Sequence, residues 1–225
     1  ESASAEQVLQ ARAGMSQRYR RQLGLLAREC RSRTVLDVGS GLGLFVAEAR
    51  DAGWAATGLE LSPHGRAFAS NVLGVDARSS FAEIERGAFA AVRASHVLEH
   101  VPQPLSFLTE CRDALQPHGV MLVIVPHREP LAELAVNGVR GMLGRDEVAG
   151  AVYPDMHVLG FDHQALTSVM SRAGFDELWI RGIGMGDAEF YPWFYDDLVH
   201  VLPFRRWTKL GWRYCLPRVV NRVGA

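Results

Sequence analysis

The chain has 225 residues, 48% hydrophobic and 22% charged, with a net charge of −1. A single domain of that length buries roughly 70% of its unfolded surface, and the near-zero net charge gives no global argument for a nucleic-acid or acidic partner. There is no run of about 18 apolar residues to span a membrane, and three scattered cysteines (Cys30, Cys111, Cys215) make neither a disulfide framework nor a zinc pattern. No metal is expected, and a reducing cytoplasm is the expected setting. The chain opens at Glu1 rather than methionine, which leaves room for a removed leader.

Residues 1–33 place Val8, Leu9, Tyr19, Leu23, Leu26 and Ala27 at roughly helical spacing. Thr34–Val38 is then a short β-rich run ending in glycines, and Leu44–Ala52 returns to a helical pattern. Trp54–Leu59 predicts the second strand, and Pro63 opens a helix continuing to about Leu73. Val75–Ser79 is a weak third strand, and Phe89–Ala94 a fourth. Pro104–Leu115 reads as a helix closed by Pro117-His118-Gly119. Val120–Val125 is apolar throughout, as befits a strand covered on both faces. Residues 127–160 read as an insertion with a helical stretch at Leu131–Leu143. A helix over Asp162–Ala173 follows, with Asp162 as N-cap, then a late strand at Phe175–Ile183. Alternating strands and helices predict a Rossmann-like α/β domain with a mostly parallel sheet and helices on both faces. The expected organisation is a helical segment at 1–33, a domain at 34–190 with its insertion, and a basic aromatic extension at 191–225.

The strongest local signal is Val35-Leu36-Asp37-Val38-Gly39-Ser40-Gly41-Leu42-Gly43. A strand that enters a glycine-rich turn before a helix lets a nucleoside-bearing ligand approach backbone closely. Glu60 follows Gly39 by 21 residues, where a carboxylate can accept both ribose hydroxyls. Leu44 stands where a dinucleotide fingerprint needs its third glycine. Asp37, read as pointing into the turn, suits a cationic amino-acid moiety better than a pyrophosphate.

The runs VLDVGSGLG, GLELSP, SHVLEHVPQP and LQPHGVMLVIVP, in that order, resemble the class I S-adenosylmethionine-dependent methyltransferases, and most closely their type 11/23 small-molecule group. The likeness spans about residues 30–183. It implies a seven-stranded sheet with the last strand antiparallel, and S-adenosylmethionine as cofactor. On that likeness Asp37, Gly39, Ser40, Gly41 and Gly43 line the methionine end of the cofactor. Glu60 holds the ribose, Leu61 packs against the adenine, and Ser80 and Phe81 meet the adenine edge. Ser95 and His96 close strand four beside the methionine portion. Tyr19 is placed either over the cofactor carboxylate or in the core.

Methyl transfer from a sulfonium needs an acceptor held in line, water excluded and, for a hydroxyl, a base. His127, directly after the fifth strand, and His157, at the end of the insertion, are the expected catalytic residues, with His96 a further candidate. His100 reads as structural or capping, and His64, His118, His163 and His200 as turn or surface residues. Pro203–Ala225 carries six basic residues and no acid, interleaved with Phe204, Trp207, Trp212 and Tyr214. That composition fits peripheral contact with an anionic membrane, a cap over an anionic acceptor, or a terminal helix pair packed on the domain. The expected acceptor is a small molecule, a glycan or a lipid-linked compound, methylated at oxygen. A non-catalytic S-adenosylmethionine-binding partner and an NAD-dependent oxidoreductase are the alternatives.

Overall fold

A computed structural model describes residues 5–125, 158–175, 177–184 and 213–220. Helix α1 (Ala5–Glu29) leads into strand β1 (Thr34–Val38), helix α2 (Leu44–Asp51), β2 (Ala55–Leu59), α3 (Pro63–Leu73) and the short β3 (Ala77–Arg78). Then come β4 (Phe89–Ser95), α4 (Pro104–Ala114), β5 (Leu115–Ile124), α5 (His163–Arg172), β6 (Glu177–Gly184) and β7 (Arg213–Val220). Two single 3-10 turns, Phe81–Glu83 and Leu98–His100, follow β3 and β4 respectively.

The strands make one seven-stranded sheet in the order β3-β2-β1-β4-β5-β7-β6. β1 pairs in parallel with β2 and β4, β2 with β3, and β4 with β5. β7 alone is reversed, running antiparallel to both β5 and β6. The strand order turns back between β1 and β4, and in open α/β sheets ligands bind outside the carboxyl ends of the strands at such a reversal.

Successive residues of β1 face opposite layers, and both layers are apolar. Val35, Ala91, Val120, Leu122 and Ile124 pack under α1 and α2 through Tyr19, Leu23, Leu26, Phe45 and Val46. Leu36, Val38, Val92, Met121 and Val123 pack on the other side against Leu108, Cys111, Leu166 and Met170 of α4 and α5. Full burial of each aliphatic side chain contributes about 1.5–3 kcal/mol, which explains why the central strands read as continuous apolar runs.

Local chemistry sets the helix starts. The Ser62 hydroxyl accepts the Gly65 amide, with Pro63 in the first turn, and the Asp162 carboxylate accepts the Ala165 amide at 2.7 Å. Pro63 at the start of α3 and the Asp162 cap match the sequence reading.

Four expectations need correction. The weak third strand shortens to Ala77–Arg78, because Val75 is buried beneath Gly43. α4 ends at Ala114, and Pro117-His118-Gly119 forms a bulge within β5 instead of a helix stop. Pairing with β4 jumps there from Phe89↔Leu115 to Ala91↔Val120, and His118 takes a positive φ of 62°. The late strand begins at Glu177, and Phe175 is a buried core residue. Finally, Arg213–Val220 is not part of a terminal helix pair: it is a strand that fills the gap between β5 and β6. Its pairing with β5 runs from Val220 to Arg218 and stops at Pro217, which has no N–H to donate. The insertion up to residue 157, with the helical stretch expected at Leu131–Leu143, and the tail on either side of β7 lie outside the described residues.

Candidate cofactor site

The carboxyl ends of β1, β2 and β4 converge on the glycine turn. The amides of Gly39 and Ser40 both donate to the Leu59 carbonyl, at 2.7 and 3.1 Å, which ties the turn to the end of β2. Gly39 takes φ +70°, and a Cβ there would stand 2.4 Å from Val97 Cγ2, so this glycine is required by conformation and by the packing of Val97. Gly41 differs. Its φ is +55°, and a Cβ would meet nothing within 4 Å, so the turn presents open space at this residue. Gly43 is required by α3, whose Ala69 methyl would lie 2.9 Å from an added Cβ.

Glu60 closes the other side. Its Oε2 accepts the Gly41 amide and its Oε1 the Ser62 amide, each at 2.8 Å. A carboxylate offers about four acceptor positions, so both oxygens keep capacity for hydroxyl donors after these bonds. Arg66 Nη1 donates to the Glu60 and Leu61 carbonyls at 2.7 and 2.8 Å and fixes the loop below. The Leu61 side chain is 75% exposed beside this carboxylate, an apolar surface on which a flat ring can lie. An acid with acceptor capacity left for hydroxyl donors, an apolar platform and an open glycine backbone together fit a nucleoside with a small polar extension.

The remaining expected residues divide. Ser40 buries its hydroxyl against β2, where it would lie 2.7 Å from a Cβ at Gly58, so only its backbone faces the turn. Phe81 turns its ring edge-to-face onto Phe107, with centroids 6.0 Å apart, and Ser80 caps that 3-10 turn through its carbonyl. Ser95 ends β4 in register with Ile124, and the His96 amide donates to the Ile124 carbonyl at 2.8 Å. His96 has φ +55°, and its Nδ1 lies 3.3 Å from Oε1 of the buried Glu99. Tyr19 is a core residue, set edge-to-face on Phe45 at 5.6 Å. His100 ends the 3-10 turn after β4 and is exposed. His127 and His157 lie outside the described residues.

Asp37 departs from its expected posture. It is buried, and its Oδ1 sits 2.5 Å from Nη1 of the equally buried Arg93. Burial pushes the Asp37 carboxyl up, the Arg93 charge and hydrogen bond hold it down, and the charge of Glu60 pushes it up again. Arg93 was missed in the sequence. Its signal is there, since an arginine within the apolar run of a doubly covered strand must find a partner. Among the described residues no group of three metal-ligating side chains occurs, and no helix is long and apolar enough to cross a membrane.

A model of the methyltransferase domain matches residues 10–178, well over half the chain. The chain belongs to the methyltransferase-domain family. The S-adenosylmethionine cofactor that the resemblance implies is compatible with the open turn and with the Glu60 carboxylate beside it. The chain is 35% identical over 163 residues to a ubiquinone biosynthesis O-methyltransferase of Dinoroseobacter shibae, covering 66% of the chain and 62% of that protein. It is 33% identical over 104 residues to a like-named protein of Cereibacter sphaeroides, covering 43% of the chain and 42% of that protein. The chain thus spans less than two thirds of the length of either relative. A S-adenosylmethionine-dependent methyltransferase of Archaeoglobus fulgidus shares the fold, with TM-score 0.61 and 16% identity over 92% of this chain and 94% of the other.

Proposed function

We propose that this chain transfers a methyl group from S-adenosylmethionine to a hydroxyl of a small-molecule acceptor. The observation that carries the reading is the Glu60 carboxylate, held by two amides beside an open glycine turn at the carboxyl edge of the sheet. Relatives named as O-methyltransferases of ubiquinone biosynthesis support oxygen as the acceptor atom.

Glu60 would hold the ribose, Leu61 the adenine, and the backbone of Gly39, Ser40, Gly41 and Gly43 the amino-acid end. Phe81 and Ser80 would bound the adenine edge, and Ser95 and His96 the methionine portion. The cofactor supplies an activated methyl on a sulfonium, so the protein's work is alignment, water exclusion and proton removal. His127 or His157 would take the acceptor proton, an effect worth about 10²–10⁴-fold in rate. The basic aromatic stretch Pro203–Trp212 would meet an anionic acceptor, a lipid-linked one, or the membrane surface that carries it.

The test is methyl transfer from isotopically labelled S-adenosylmethionine to a panel of acceptors, hydroxyl-bearing ubiquinone precursors among them. Labelled ether product is expected. Label in a nitrogen- or carbon-linked product, or none with any acceptor while the cofactor binds, would sink the oxygen assignment.

A further inference from the structure

We propose that Arg93 and Asp37 form an internal positioning pair beneath the glycine turn, in which Arg93 withholds the Asp37 carboxylate from the cofactor and leaves Glu60 as the acid that meets it. This rests on the cofactor site assigned above and revises the part of Asp37 in it.

The sheet itself brings the two residues together. Asp37 and Arg93 are directly opposite in the parallel β1–β4 register, so their side chains leave the same face of adjacent strands. That face is the one covered by α1 and α2. Arg93 then satisfies its planar fork in three directions. Nη1 meets Asp37 Oδ1 at 2.5 Å, Nε donates to Gln22 Oε1 of α1 at 2.9 Å, and the guanidinium lies over the Phe45 ring of α2, 4.2 Å from its centroid. The Tyr19 ring of α1 is 5.7 Å away. The side chains of Arg93 and Asp37 are only 7% and 2% exposed.

A buried pair of this kind is strong only while both partners remain, since removing one strands a charge in a medium that cannot solvate it. Arg93 of β4 therefore joins three further elements at one point. Asp37 stands two residues before Gly39, Gln22 belongs to the long helix over the sheet, and Phe45 to the helix that the turn opens. The open side of the turn lies at Gly41, where an added Cβ meets nothing, and there Glu60 presents its carboxylate. Asp37, engaged below the turn with Arg93, has its charge met inside the protein. Both residues act on the cofactor through the turn they support.

The test compares the intact chain with Asp37→Asn, Arg93→Met and the double variant, using calorimetric Kd for S-adenosylmethionine and S-adenosylhomocysteine alongside urea unfolding. Each single variant is expected to lose stability and cofactor affinity together. The double variant, with no orphaned charge, is expected to recover both, its Kd within about threefold of the intact chain. If it regains stability but binds S-adenosylmethionine at least about tenfold more weakly, Asp37 touches the cofactor and the proposal is overturned.

A charge readout separates positioning from mere bracing. At pH 9 the Asp37 left alone in Arg93→Met, with Glu60 the other acid near it, should favour the cationic sulfonium over the neutral thioether. The affinity ratio of the two ligands should then rise about threefold or more. An unchanged ratio overturns the claim that Arg93 controls the charge felt by the cofactor. If the single variants fail to fold, carbon-13 detection of the Asp37 carboxyl in the intact chain decides. Its titration is expected to move by less than about half a pH unit on adding S-adenosylhomocysteine, and a displacement of about one unit or more overturns the proposal.

Discussion

The Gly41 amide donates to Glu60 Oε2 at 2.8 Å, joining the tip of the glycine turn to the end of the neighbouring strand. The other oxygen is held by the Ser62 amide at the start of α3. The carboxylate is thus oriented by backbone from two directions before any ligand arrives, and preorganisation of that kind lowers the ordering cost of binding.

Replacing Glu60 by alanine should therefore weaken both S-adenosylmethionine and S-adenosylhomocysteine by about 10–100-fold, since hydrogen bonds to a charged acceptor are worth roughly 1.5–3 kcal/mol. Glu60→Gln should also bind weakly, because its amide nitrogen would face an N–H donor. Calorimetric titration of both variants checks this. Affinity equal to the parent in Glu60→Ala would remove the ribose clamp from the site.

Gly39 and Gly41 should respond differently to a methyl group. Gly39→Ala meets both a positive φ and Val97 Cγ2 at 2.4 Å, and should lose about 1–3 kcal/mol of stability. Shortening Val97 to alanine in the same chain should recover part of that loss. Gly41→Ala has space, so its stability cost is the conformational one, about 1–2 kcal/mol, while cofactor affinity falls. Urea unfolding and titration together separate the two, and equal behaviour would contradict the open face at Gly41.

Acid should loosen α1 through Glu48. This buried acid of α2 would have its carboxyl raised by burial, but hydrogen bonds from Ser16 and Arg20 and the charges of Arg20 and Arg12 outweigh that and hold it below the ordinary 4.5. A depressed carboxyl gives stability that is present above the unfolded value and is lost as pH falls through the folded one. Amide protection factors in α1, taken against the intrinsic exchange rate at each pH, should accordingly fall below pH 4.5, and Glu48→Gln should show low protection already at neutral pH. Unchanged protection factors across the acid range in the parent chain would dismiss this anchor.

The sequence showed most of the sheet because doubly covered strands must be apolar and the helix starts carry their own caps. β1, α3 and the Asp162 cap emerge where the residues place them. What stayed hidden depended on partners far along the chain. Nothing beside Asp37 in the sequence announces Arg93, the buried partner 56 residues later that meets its carboxylate. Arg213–Val220, read for its charge and aromatics, is a strand because β5 and β6 leave a gap that only a reversed segment fills. Composition describes a segment's surface preference, and pairing is decided by edges that the segment itself does not contain.

For the reaction, His127→Ala and His157→Ala should be compared at saturating acceptor. The residue that serves as base should lose turnover about 10²–10⁴-fold with cofactor Kd nearly unchanged. Full turnover in both variants would leave positioning alone to account for the rate, and would turn attention to His96 beside Glu99.

The carboxyl-terminal segment now separates into two parts with different expected phenotypes. Ending the chain before Arg213 removes β7 from between β5 and β6, exposing two strand edges, and should abolish cooperative unfolding. Arg205, Arg206 and Lys209 precede that strand, so changing all three to glutamine should spare the pairing. Each basic residue near an anionic bilayer contributes about 1 kcal/mol, so the triple variant should bind vesicles more than about a hundredfold more weakly. Co-sedimentation at low salt, repeated at high salt where the attraction is screened, measures this directly. A triple variant that unfolds like its parent and pellets equally well would refute electrostatic membrane contact. Pelleting of the parent alone, reversed by salt, would support a membrane surface as the place where this segment brings the enzyme to its acceptor.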